Sequence, residues 1–320
     1  MSIDLPVATP IAARLYAIRW LTDTIRLFEV GPADGAESLP PANPGAHVDV
    51  HLPGGLVRQY SLLPATRRDR YAFAVKHETA GRGGSRFLHE QAQVGMPIAI
   101  GRPRDLFPLH EDAPRTVLIA GGIGITPVLS MLERLRALGR PVELHYWCRE
   151  ARAAPFADIL GAGGDCHIHG SDDPSRRSLE AVIADVPADA YLYCCGPQRM
   201  AAMFEALCAD RPADQVRLER FAADAPPLSE DDGAFEVSLA RSGTIVRVEP
   251  GETMLEALIG AGVDILYSCE QGICGACETR VLAGEPDHRD SIRTAAAHDQ
   301  LGTIMPCCSR AKSSTLVLDL

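Results

Sequence analysis

The chain has 320 residues, 46% of them hydrophobic, which allows two or three domains with a core in each. Its formal charge of −11 argues against a nucleic-acid binder and leaves a solvated acidic surface, or an acidic face for a basic redox partner. Ten cysteines in a chain this long do not form a secreted disulfide framework, and neither a signal peptide nor a membrane-spanning run is apparent, so a cytoplasmic protein is expected.

The first hundred residues read as short strands punctuated by Gly and Pro: Arg14 to Leu21, Ile25 to Val30, His47 to Leu52, Arg58 to Leu63 and Tyr71 to Lys76. That spacing predicts an antiparallel β-barrel, interrupted by a helix from Ser85 to Gln91. From Pro114 to Phe221 strands and helices alternate. Val117 to Ala120 reads as a buried strand, Pro127 to Leu138 as a helix closed by Gly139, and Val142 to Trp147 and Tyr191 to Cys194 as further strands. Alternation of this kind predicts a doubly wound parallel α/β sheet. Residues 223–233, rich in Pro, small and acidic residues, read as a linker. Strands at Phe235 to Leu239 and Thr244 to Val248, a helix at Met254 to Ala261 and a closing strand at Thr315 to Leu318 follow. The expected division is a barrel domain over 1–110, an α/β domain over 111–222, the linker, and a third domain over 234–320.

Three motifs carry chemistry. Cys269, Cys274 and Cys277 form a C-x4-C-x2-C loop, and Cys307 follows after 29 further residues, the plant-type spacing for a 2Fe–2S cluster. Soft thiolates suit iron, and Gly272 and Gly275 let the loop turn its N–H groups toward the sulfurs. Zinc sites more often pair C-x2-C elements. Cys308 is the neighbour of Cys307; on an extended segment only one of the two can face the cluster, and loop spacing favours Cys307. Cys148, Cys166 and Cys208 read as small buried hydrophobes.

The second motif, Gly121-Gly122-Ile-Gly124-Ile-Thr126-Pro127, joins a strand to a helix and fits a nucleotide pyrophosphate, with Thr126 as N-cap and Pro127 as first helical residue. Cys195-Gly196-Pro197 ends another strand and opens a helix at Pro197, so both loops belong to one crevice, with Cys195 near the nicotinamide. The third is Arg58-Gln59-Tyr60-Ser61. Arg58 can grip a phosphate, Tyr60 can stack and Ser61 can offer its hydroxyl to a ring nitrogen; Gly83, Gly84 and Ser85 supply a second anion cradle.

In these motifs and their order the chain resembles the phthalate dioxygenase reductase family, which includes vanillate O-demethylase reductases. The resemblance implies FMN in a six-stranded barrel lined also by Ala74, Val75 and Lys76, Phe221 near the flavin ring, NADH in the α/β domain, and a C-terminal β-grasp ferredoxin domain. It further implies Ser61 and Cys195 as catalytic residues. The implied activity takes electron pairs from NADH and releases them singly through the cluster to a Rieske non-haem iron oxygenase acting on an aromatic or quaternary ammonium compound. Arg149 after the strand Val142 to Trp147 would suit the 2′-phosphate of NADPH and Glu150 would oppose it; the resemblance favours NADH. The alternatives are a stand-alone flavin or ferric reductase and a ferredoxin-type carrier module.

Overall fold

The protein is described here by a computed structural model covering residues 10–35, 38–64, 67–161, 163–221, 228–292 and 295–320. The chain divides into two units, Met1–Phe221 and Ala222–Leu320.

Alternation of apolar and polar residues builds the first sheet. Its strands are β1 (Ile11–Thr22), β2 (Ile25–Pro32), β3 (His47–His51), β4 (Val57–Ser61), β5 (Tyr71–Lys76) and β6 (Pro97–Ile100), with α1 (Gly84–Glu90) before β6. They form a six-stranded sheet in the order β4-β3-β6-β1-β2-β5, antiparallel at each pairing. Leu15, Phe28, Val48, Val50, Phe73 and Ile100 fill its interior. The edge strands β4 and β5 meet where the Tyr60 ring stacks on Phe73, centroids 5.0 Å apart. Sequence periodicity had not signalled β6, a four-residue strand beginning at a proline.

Strand–helix alternation then gives β7 (Thr116–Gly121), α2 (Ile125–Ala137), β8 (Val142–Cys148), α3 (Ala157–Leu160), β9 (Cys166–Gly170), α4 (Leu179–Ala184), β10 (Tyr191–Cys195), α5 (Gln198–Leu207) and β11 (Val216–Glu219). The five strands run parallel in the order β11-β10-β7-β8-β9. β7 is buried at all of its positions, as a central parallel strand must be. α2 buries Ile125, Val128, Leu129, Leu132 and Leu135, a stripe at helical spacing. That stripe shares one core with Ile25, Leu27, Leu63 and Ala74 from the barrel side, so barrel and parallel sheet are packed together within this unit.

In the second unit the elements are β12 (Phe235–Leu239), β13 (Ile245–Val248), α6 (Met254–Gly260), β14 (Thr279–Ala283), β15 (Pro286–Asp287), α7 (Ala295–Leu301), β16 (Thr303–Ile304), β17 (Arg310–Ala311) and β18 (Thr315–Leu318). A mixed sheet runs β13-β12-β18-β14-β16, and β15 pairs with β17. α6 packs its buried Met254, Leu255 and Leu258 against Val237, Val248 and Leu316 of that sheet, the β-grasp arrangement. Thr253 opens α6 with a capping box closed by Glu256. Of the expected linker, residues 223–227 lie outside the described residues, and its far end is tied down: both carboxylate oxygens of Asp232 accept from Arg289, at 2.8 and 3.1 Å. No described helix is long and apolar enough to cross a membrane.

Candidate redox site

The strand order reverses between β7 and β10, which places the loops after these two strands side by side at the sheet's carboxyl end. They touch closely. A Cβ on Gly124 would lie 2.2 Å from the carbonyl oxygen of Cys195, so any side chain there would force the loops apart. Gly121 and Gly196 are packed against each other and against Met200 of α5 in the same way. Gly121, Gly124, Cys195, Gly196 and Pro197 thus lie together, with Gly122 in the same turn.

The helix start differs from the expectation. A 3-10 turn over Gly122–Gly124 leads directly into α2 at Ile125, so Thr126 lies inside the helix and not at its N-cap. Its buried hydroxyl donates to the Ile123 carbonyl at 3.0 Å, a bond within the turn. Pro197 likewise takes the N-cap of α5, one residue before the first helical position. The first shift follows from the glycine turn, whose Gly122 carbonyl already accepts from the Ile125 N–H; in α5 the Pro197 carbonyl accepts from the Met200 and Ala201 N–H groups, as an N-cap carbonyl does.

Cys195 was expected at this crevice, near the nicotinamide. Its side chain is fully buried, and burial pushes its thiol well above the usual range. The residue therefore stays neutral and contributes shape, not a thiolate. Beside it in register on β11 stands Glu219, which the motifs did not single out. Burial, with the charge of Asp105, pushes the Glu219 carboxyl up to about 8. Its Oε2 is buried without a hydrogen-bond partner among the described residues. Phe221, two residues on, is 41% exposed. An unusual buried carboxyl is visible only once β10 and β11 are paired, which explains why spacing along the chain missed it.

On the barrel, Arg58 reaches across to the start of α1. Its guanidinium donates to the carbonyls of Val57 at 2.7 Å and Arg82 at 2.5 Å. A Cβ on Gly84 would lie 2.5 Å from the Arg58 Cγ, so the glycine lets the arginine lie flat there. Gly83 adopts the left-handed conformation at the N-cap of α1. Ser85 is turned away from this place: its Oγ accepts from the Glu78 N–H at 3.1 Å and donates to the Glu78 carbonyl at 3.3 Å. Ser61 is buried at the end of β4. Gln59 lies 3.3 Å from Asp49, a carboxylate that also receives both arms of Arg104. Ala74 and Val75 bury their side chains in separate cores, and the Val75 carbonyl is paired with His89. Lys76 pairs with Glu78 at the surface.

The four cysteines of the second unit, Cys269, Cys274, Cys277 and Cys307, are each buried and none is in a disulfide. Backbone N–H groups point at their sulfurs, as the glycine turns imply. Gln271 and Ile273 donate to Cys269 Sγ at 3.3 and 3.5 Å, Ala276 to Cys274 Sγ at 3.4 Å, and Gly272 to Cys307 Sγ at 3.2 Å. The sulfurs also lie within hydrogen-bond reach of one another, and that proximity pulls the Cys269 thiol far below its ordinary value while it pushes those of Cys274 and Cys307 up. Converging, N–H-lined cysteine sulfurs are the donor set that iron takes as thiolates, and they fit a 2Fe–2S centre. One expectation needs correcting. Cys307 and Cys308 lie in a turn, not on an extended segment, so alternation does not separate them. Both sulfurs approach Gly272, and the Gly272 N–H bond distinguishes Cys307. Cys208 is buried as expected, whereas Cys148 and Cys166 are only half-buried.

A flavin-type barrel packed on a nucleotide-binding sheet, followed by a ferredoxin domain, defines a flavin- and iron–sulfur-dependent oxidoreductase. Comparison with known proteins agrees. Residues 237–312 match the model of the 2Fe-2S iron-sulfur cluster binding domain. The chain is 46% identical over 315 residues to the phenoxybenzoate dioxygenase subunit beta of Ectopseudomonas oleovorans, covering 97% of this chain and 98% of the relative. It is 43% identical to the tetrachlorobenzoquinone reductase of Sphingobium chlorophenolicum, covering 98% and 99%. Among solved structures it resembles phthalate dioxygenase reductase, a modular structure for electron transfer from pyridine nucleotides to [2Fe-2S], with TM-score 0.72, 36% identity and 98% of both chains covered. It also resembles an intact type IV self-sufficient cytochrome P450 monooxygenase, with TM-score 0.87 and 36% identity over 97% of this chain, and spans 41% of that longer one. The chain belongs to the phthalate dioxygenase reductase family.

Proposed function

We propose that this protein is the reductase of an oxygenase system, drawing electrons from NADH and delivering them to a Rieske non-haem iron oxygenase that acts on an aromatic or quaternary ammonium compound in the cytoplasm. The observation that carries this reading is the set of four buried, N–H-lined cysteines in the same chain as a nucleotide crevice. When bound, FMN exchanges electrons in pairs or singly and the 2Fe–2S centre takes them one at a time, which matches a hydride donor to a one-electron acceptor.

The chain's own residues supply position and electrostatics. Arg58, with Gly83 and Gly84, holds the FMN phosphate, while Ser85 braces the loop through Glu78. Gln59, Tyr60, Ser61, Ala74, Val75, Lys76 and Phe221 border the flavin ring, and Ser61 directs its hydroxyl to a ring nitrogen. Gly121, Gly122 and Gly124, with Thr126 bracing the turn, and Gly196 with Pro197 bring backbone N–H groups to the pyrophosphate of NADH. Cys195 shapes the floor under the nicotinamide as a neutral thiol, and Glu219 beside it carries a proton near neutrality. In this reading residues 1–110 bind flavin, 111–222 bind the nucleotide, 223–233 link, and 234–320 hold the cluster on Cys269, Cys274, Cys277 and Cys307.

A second reading is favoured by one relative: the tetrachlorobenzoquinone reductase suggests direct reduction of a quinone without an oxygenase. The Cys307→Ala variant separates the two. The oxygenase-reductase reading expects flavin reduction by NADH to persist while electron delivery to cytochrome c collapses. Full quinone reduction by both wild type and variant, with no oxygenase dependent on either, would favour the second.

A further inference from the structure

The second unit contains a buried group that ligand spacing does not explain. His298 on α7 places its Nε2 2.8 Å from Asp290 Oδ2, a close contact outside hydrogen-bond geometry, and neither side chain has any exposed surface. His298 Nδ1 lies 2.9 Å from Thr303 Oγ1, which fixes the ring from its other edge. His288 stacks on it, ring centroids 4.6 Å apart and planes 9° apart. Taking a carboxylate and two imidazoles out of water is costly, so such a group needs a physical reason for its place.

What it holds is the cluster loop. Next to Asp290, the Ser291 N–H donates to the Gly272 carbonyl at 2.9 Å. Asp290 itself packs so tightly on Gly272 that a Cβ there would lie 3.0 Å from the Asp290 Cα. From the other side Cys308 Sγ fills the space, 2.4 Å from that same Cβ position. Gly272 has φ near +70° and presents its N–H to Cys307 Sγ at 3.2 Å. The residue that donates to the sulfur is therefore clamped by the segment that His298 anchors.

We propose that His298 and Asp290 are positioning residues that raise the reduction potential of the 2Fe–2S centre by holding the Gly272 N–H on the Cys307 sulfur. Reduction adds negative charge to thiolate-ligated iron, and an N–H···S bond stabilises that charge. Loosening the clamp weakens the bond and lowers the potential. The inference rests on the cluster assignment above.

The test is a redox titration of the full-length protein, followed by visible absorbance and EPR. The expected result for His298→Phe, which keeps a stacking ring and loses both polar contacts, is an intact 2Fe–2S spectrum. Its reduced-to-oxidised ratio at a fixed poise should fall about tenfold, a shift of about 59 mV for a one-electron couple. His298→Gln keeps a polar group beside Asp290 and Thr303 and should recover most of the shift. Thr303→Val should give a smaller shift in the same direction, and it carries the test if His298→Phe does not fold. Wild-type potential in His298→Phe, or in Thr303→Val where the former fails to fold, overturns the proposal, as does a His298→Gln potential equal to that of His298→Phe. Wild-type protein lacking the iron–sulfur spectrum would instead overturn the cluster assignment.

Discussion

Gly124 shows how closely a single residue can tie sequence to site. Its missing side chain lets the β7 turn rest on the Cys195 carbonyl, the contact that brings the two nucleotide loops together. Gly124→Ala should overpack this contact and cost about 1–3 kcal/mol. The expected outcome is a raised KM for NADH with flavin retained, checked by steady-state kinetics on flavin-loaded protein. Glu219 makes a different residue-scale prediction. Its folded pKa of about 8 exceeds the ordinary 4.5, so the folded state binds its proton more tightly. The associated stability is fully present below 4.5 and is lost as pH rises through 8. Glu219→Gln removes the titration, and chemical denaturation across that window should show the downward slope in wild type and lose it in the variant. The glycines and the Cys269, Cys274 and Cys277 loop could be read from the sequence because their spacing is local, and Cys307 because the plant-type spacing reaches it. Glu219 and His298 could not, because their roles arise from partners on other strands and helices.

Among the elements, those with long unbroken patterns followed the reading of the sequence. The apolar stripe of α2 and the wholly buried β7 are examples, since burial on one stripe or on both faces writes a strong periodicity. The boundaries at Ile125 and Gln198 moved because turn hydrogen bonds, which leave little compositional trace, decide where a helix begins. Two-residue strands such as β15, β16 and β17 are held by register with neighbours and have no period of their own. α6 carries its start signal openly in Thr253 and Glu256. Thr253→Ala should cost about 1 kcal/mol, seen as a lower melting temperature. The Asp232–Arg289 pair at the linker's end holds the Asp232 carboxyl at about 2, below its ordinary 3.8. A depressed acid stabilises above its unfolded pKa and loses that contribution as pH falls through the folded one. Asp232→Asn should therefore cost about 1 kcal/mol at neutral pH and nothing below about pH 2, allowing for screening at a surface pair.

For the molecule as a whole, the order of parts carries the functional argument. A barrel, a nucleotide sheet and a cysteine-bearing β-grasp domain each have an ordinary use alone; in one chain they join a two-electron donor to a one-electron acceptor. Given the chain's net charge of −11, electron delivery to a basic partner should slow with rising ionic strength more than reduction by NADH does, and a delivery rate insensitive to salt would exclude such a partner. The most direct measurement of the central claim is an anaerobic reductive titration of purified full-length protein, counting electrons taken up per chain. Wild type should accept one electron beyond the pair taken by its flavin, and Cys307→Ala should lose only that odd electron. Equal uptake by the two proteins would contradict the account.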